Sequence, residues 1–420
     1  MSSGHDPFGA LDTAAASGPR AVFAVLHDEL AAARRWHALF DARIVEARLA
    51  LGLPPTGPLP TLTGETRDRL DELSIAACLE AGWPLLAEGH VAAAWMYLRA
   101  TADESQLAGR LESLVERRGV ATGRDEETVR LREEIIGIAV WEAAAPALGI
   151  GLVLAAQGTC NAITAYEQAL SRLPAVRQQP AAAILVAHLH REVAANLAAD
   201  LGRRGVTLPA AAEPSIPELL AAGGGLADDP AVHVDVSHLQ SALRIARVCA
   251  DLPTLRRAWE LATYAGRLPA EARYPGEAPF TDVAGGSRLY FGAQLGLDVE
   301  EAVAFFRRQA LEADPAESGS LPTDVLVVLL TRLGRPAEAL HAALVRGVDG
   351  AAPSTMQAAG VLPSLVELAA ACGGWEILRR ACRDRGDLVT YAATLVAKDH
   401  QIPNPHPEPT RAQSRQGLVS

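Results

Sequence analysis

"PAAAILVAHLHREVAANLAADLG" (Pro180–Gly202) is the stretch on which the fold class turns. Leu185, Leu189, Val193 and Leu197 recur every fourth residue and draw one apolar strip along a helix. Pro180 suits the first turn, where a missing N–H sacrifices no hydrogen bond, so the spacing predicts a helix from Pro180 to Gly202. Alanine at 181–183, 187, 194, 195, 198 and 199 leaves little bulk elsewhere, and such a helix can be packed on nearly every side. The neighbouring strip carries His188, Glu192 and Asn196 at i, i+4 and i+8. This polar ladder would then be partly withdrawn from water, with His190 pointing elsewhere and exposed.

The composition of the whole chain extends that reading. Of 420 residues 49% are hydrophobic but only 5% aromatic, so alanine, leucine and valine must fill the core. Alanine and leucine are the strongest apolar helix formers, and β-branched runs bounded by turn pairs are scarce. The expected class is all-α. A net charge of −12 argues against nucleic acid and anionic membranes as partners, since both require basic surface. Lys398 is the sole lysine. Schiff-base, pyridoxal-phosphate and phosphate-loop chemistry all need a lysine, so PLP and a nucleotide loop are not expected. Cys78, Cys160, Cys249, Cys372 and Cys382 are scattered, with no CxxC spacing, which is neither a disulfide framework nor a cysteine zinc site. The N-terminus lacks the basic start and apolar run of a signal peptide. Ala143 to Tyr166 is uncharged over 24 residues but interrupted by Pro146, Gly149, Gly151, Gln157, Thr159 and Asn161. It reads as a deeply buried central helix rather than a bilayer span, and the chain as soluble and cytoplasmic.

Along the chain, residues 1–18 and 401–420 read as disordered tails rich in Pro, Gly, Ser and Gln. An N-terminal helical domain is expected over 19–206, a Pro/Gly-rich linker over 207–231 and a second helical domain over 232–400. Two segments there begin with a turn glycine and continue with Glu-Ala: "GLDVEEAVAFFRRQALEADP" from Gly296 and "GRPAEALHAAL" from Gly334. Glu301–Ala302, Glu338–Ala339 and the closing Asp314–Pro315 resemble the second helix of a tetratricopeptide repeat (TPR). Turn glycines at 296, 334 and 373 lie 38 and 39 residues apart, longer than that repeat's 34. The resemblance covers about residues 251–398, and it implies antiparallel helix pairs stacked as a solenoid. A closed (α/α) toroid is the alternative arrangement.

A second polar stretch is "AVHVDVSHLQSA" (Ala231–Ala242). Val232, Val234 and Val236 alternate with His233, Asp235 and Ser237, so this is an extended entry into a helix, capped by Asp235 or Ser237. His233 and Asp235 are expected to project together, with His238 at the helix edge. Imidazole and carboxylate converging at a helix start can hold a divalent cation or move a proton. The bland reading of each is a hydrogen-bonded histidine and a plain N-cap. Two functions follow. One is a small-molecule enzyme (lyase, isomerase or hydrolase) with zinc or manganese on His188, Glu192, His233 and His238. His233, Asp235 and Glu192 would carry protons, and Asn161, Arg267 and Tyr274 would orient a substrate, anionic if the arginine binds it. The other is a non-enzymatic repeat scaffold for a protein partner. Cys160, the remaining nucleophile, reads as buried and inert.

Overall fold

The computed structural model describes residues 6–207, 214–223, 232–345 and 354–397. Among the described residues there are 21 α-helices packed in pairs and no strand, so the all-α reading stands. Contacts divide the chain into two compact units, Met1–Leu170 and Ser171–Ser420. The Pro/Gly-rich interval expected as a linker therefore lies inside the second unit.

The first unit contains α1 (Pro7–Ala15), α2 (Pro19–Ala32), α3 (Trp36–Ala50), α4 (Glu65–Glu88), α5 (Val91–Leu98), α6 (Glu104–Arg118), α7 (Glu126–Ile136) and α8 (Pro146–Ala165). Helix α1 forms within the span expected as a disordered tail, because Asp6 accepts the Phe8 N–H and Pro7 opens the first turn. Asp103 and Asp125 cap α6 and α7 in the same way. Helices α4 and α5 approach so closely that a Cβ on Gly82 would stand 2.6 Å from the Leu98 side chain. Helix α8 corrects the expectation of a deeply buried central helix. Gly158 breaks it with φ +83°, and Ala155, Ala156 and Gln157 are exposed, as is Cys160. Pro146–Leu170 is long and apolar enough to cross a membrane by length and composition, and 33% of its most apolar window is buried.

The second unit opens with α9 (Ala175–Arg203), capped by Pro174 and longer at its start than the sequence spacing predicts. Pro180 sits inside it. The carbonyl that Pro180 cannot bond belongs to Val176, whose side chain is 74% exposed, and so the missing bond falls on the wet side of the first turns. Within the presumed linker, Ser215 and Glu218 form a capping box that starts α10 (Ile216–Ala222), and α10 packs on α9. The array continues through α11 (Val236–Ile245), α12 (Leu252–Ala265), α13 (Val283–Gln294), α14 (Val299–Glu312), α15 (Pro315–Ser318), α16 (Leu321–Arg332), α17 (Pro336–Val345), α18 (Thr355–Ala358), α19 (Leu365–Cys372), α20 (Trp375–Arg385) and α21 (Leu388–Ala397).

The three turn glycines do the work read from the sequence. Gly296, Gly334 and Gly373 all have left-handed backbones (φ +82°, +71° and +70°), which a side chain would strain. Each joins a helix pair: α13 to α14, α16 to α17 and α19 to α20. Helix α14 packs on α16, and α17 on α19, so the pairs follow one another as neighbours. Arg332, at the end of α16, finishes a distant helix. Its guanidinium donates to the carbonyls of Arg247, Val248 and Cys249 beyond α11, and to Tyr290 Oη and Gln294 Oε1. These carbonyls close the 3-10 turn Ala246–Val248 and have no partner further along the helix.

Candidate functional site

The polar residues marked by the sequence sit mainly on α9, α11 and α12, and they form separate ties rather than one cluster. His233 is buried at the entry to α11. Its backbone N–H donates to Tyr264 Oη (2.9 Å), and its Nδ1 lies 3.1 Å from the same oxygen. Nε2 lies 3.3 Å from Asp200 Oδ2, near the end of α9. With its oxygen taken by the backbone N–H, the phenol gives its proton to Nδ1, and Nε2–H donates to Asp200. Asn196 completes the tie by donating to the His233 carbonyl at 2.8 Å. Every polar atom of His233 is then engaged.

Asp200 faces opposing influences. Burial alone would raise its carboxyl, but the His233 bond, the Arg204 charge and the Arg203 hydrogen bond bring it below the ordinary value. Burial pushes the Tyr264 hydroxyl up, against the opposing effect of the His233 N–H. Tyr264 is fully buried.

A second tie joins α9 to α12. His190 Nε2 lies 2.8 Å from Glu260 Oε2, and that oxygen also accepts the Ile216 N–H at 3.1 Å. His190, expected to be exposed, is therefore half-buried, and the first turn of α10 is seated on the same carboxylate. His188 and Glu192 form the looser pair of the ladder, with Nε2 to Oε2 at 3.8 Å. Glu192 Oε2 is shielded from water and accepts no hydrogen bond.

The remaining expected site residues stand apart. Asp235 turns back to cap α11, accepting the Ser237 Oγ–H and N–H, and those bonds hold its carboxyl below the ordinary range. It is exposed whereas His233 is buried, so the two do not project together. His238 lies in the first turns of α11. Asn161 is exposed on α8 and donates to the Gln157 carbonyl. Arg267 is exposed, and Tyr274 stands at the edge of a cavity with 58% of its surface free. Among the described residues, no group of three or more His, Cys, Asp or Glu side chains is placed to hold a metal ion. His188, Glu192, His233 and His238 thus do not gather as one ligand set.

Two participants escaped the sequence reading. Asp200 carries a signal that was available: it continues the ladder 188, 192, 196 by one more turn. Glu260 interrupts the apolar side of α12, a lone charge among Leu255, Ala258, Leu261 and Ala262. The first unit holds a contrasting buried histidine. His27 is 6% exposed, stacks on Phe23, and has an Nε2 with no hydrogen bond, 3.7 Å from Glu46 Oε2. Arg43 stands beside it, held by Glu80 through two bonds of 2.6 and 2.7 Å. Burial and the Arg43 charge lower the His27 pKa, outweighing Glu46, Glu80 and the Ala42 backbone.

Compared with protein families, curated proteins and solved structures, the chain matches none.

Proposed function

We propose that the second unit is a non-catalytic, TPR-like helical-repeat module that binds a protein partner through the outer face of α21. One observation carries this reading. Leu388, Val389, Leu395 and Val396 are 79, 82, 50 and 63% exposed on α21, the last helix among the described residues. With Ala392 they fall at i, i+1, i+4, i+7 and i+8, which is a single stripe. A contiguous exposed apolar stripe marks a surface that binds. The use of His190 and His233 as interhelix ties supports the same reading, since it assigns them structural work.

The test places a photo-crosslinking residue at Leu388 in the full chain and compares it with a Leu388→Glu/Val389→Glu variant. The expected result is a defined cross-linked complex that the double variant loses while keeping its helicity by circular dichroism. If the variant forms the complex as well as the parent, α21 is not the contact. Light scattering on the purified chain distinguishes a second copy from another protein as the partner.

A second reading, a metal-dependent acid–base enzyme, is favoured by the water-shielded Glu192 oxygen 3.8 Å from His188. Metal analysis of the purified protein and of His188→Ala and His233→Ala tests it. Bound zinc or manganese that is lost from His188→Ala would support it, and a metal-free protein insensitive to chelator would remove it.

A further inference from the structure

The first unit holds a cleft of about 150 Å3 between α4 and α6. Trp83, Leu86 and Ala87 of α4 form one wall, and Arg110, Ser113 and Arg117 of α6 form the other. Residues three, four and seven apart share a face of a helix, so each triplet lines up along its own helix. The volume is below the roughly 300–1,000 Å3 of drug-sized sites, so it suits a small ligand.

The two arginines are not spent on the fold as their neighbours are. Arg43 holds Glu80 through two bonds, and Arg118 is taken by Glu127 and by the Glu88 carbonyl. Arg110 and Arg117 form neither an ion pair nor a hydrogen bond among the described residues. The carboxylates close to the cleft are engaged elsewhere. Glu88, next to Ala87, accepts the Trp36 Nε1–H and pairs with Arg34. Glu112 and Glu116 of α6 lie outside the cleft lining. The Arg110 guanidinium stands 4.4 Å from the centroid of the Trp83 ring. That contact steadies the fork on an aromatic face and leaves its N–H edge able to bond. Ser113 donates to the Gly109 carbonyl, so the two guanidinia are the charged donors of the cleft.

Two cations around one small cleft match a group that carries about two negative charges. A phosphomonoester carries roughly −1.5 to −2 near neutral pH and offers three acceptor oxygens. A single carboxylate carries half of that charge. We propose that this cleft binds a small phosphomonoester, with its phosphate between Arg110 and Arg117 and its organic part beside Leu86 and Ala87. The cleft belongs to the first unit and α21 to the second, so its test is independent of the partner-binding reading.

Calorimetric titration of the full chain with phenyl phosphate and, separately, with benzenesulfonate tests the proposal. Phenyl phosphate should bind the parent, and benzenesulfonate, a monoanion of similar shape, should bind about tenfold more weakly or worse. Arg110→Gln and Arg117→Gln should each weaken phenyl phosphate by about tenfold or more. Arg67→Gln removes an exposed positive charge at the start of α4 and should leave the affinity unchanged. The indole N–H resonance that Trp83→Phe removes should shift as phenyl phosphate is added to the parent. Circular dichroism confirms that each variant is folded. Absence of phenyl phosphate binding, equal affinity for benzenesulfonate, equal losses in Arg67→Gln and Arg117→Gln, or an unmoved Trp83 resonance would each overturn the assignment.

Discussion

Two buried histidines, one in each unit, are accommodated in opposite ways. His233 has a partner for its backbone N–H, for both ring nitrogens and for its carbonyl. His27 keeps an Nε2 with no hydrogen bond beside the cationic Arg43, and its pKa falls. A buried imidazole can be stabilised by bonding or tolerated by staying neutral. The bonded kind joins helices and resists change. The kind with one ring nitrogen left unbonded carries a dependence on pH.

Substitutions can break this contrast in order of size. Glu260→Ala should have the largest effect, because one oxygen serves both His190 and the Ile216 N–H. Chemical denaturation should show a loss of about 2–3 kcal/mol, the range for bonds to a charged group. Tyr264→Phe removes a hydroxyl that serves two groups of His233, and about 1–2 kcal/mol should be lost in the same assay. A value near zero would mean that water replaces the phenol.

His27 makes a smaller and differently shaped prediction. Its folded pKa lies below the ordinary 6.5, so the unfolded chain binds more protons as pH falls through that range. Stability is therefore present above about pH 6.5 and declines below it. Denaturation midpoints followed with pH should show this decline, and His27→Leu should flatten it. The smallest expected change in stability is for Leu388→Glu, within about 0.5 kcal/mol, because that side chain is 79% exposed.

How far the sequence could be read follows from how local each signal is. The turn glycines were legible because a left-handed backbone is a demand of the chain itself, met at Gly296, Gly334 and Gly373 alike. The N-cap at Asp235 was legible for the same reason. The start of α9 was not, because Ala175 is satisfied from outside: its N–H donates to the Ala359 carbonyl at 2.7 Å. The ladder was legible as a face of α9 but not as a site. Its partner, the His233 carbonyl, comes from 37 residues further along the chain.

Arg332 has a consequence for the order of events in folding. It reaches back 83 to 85 residues to supply acceptable partners for the last carbonyls beyond α11. That helix end cannot be completed during synthesis until α16 has emerged and docked, so its closing turn belongs to a late, non-local step. Once formed, the turn should open only when α16 leaves. Amide exchange near Val248 and Cys249 should therefore keep time with exchange in α16, a single opening unit assembled from two distant stretches of chain.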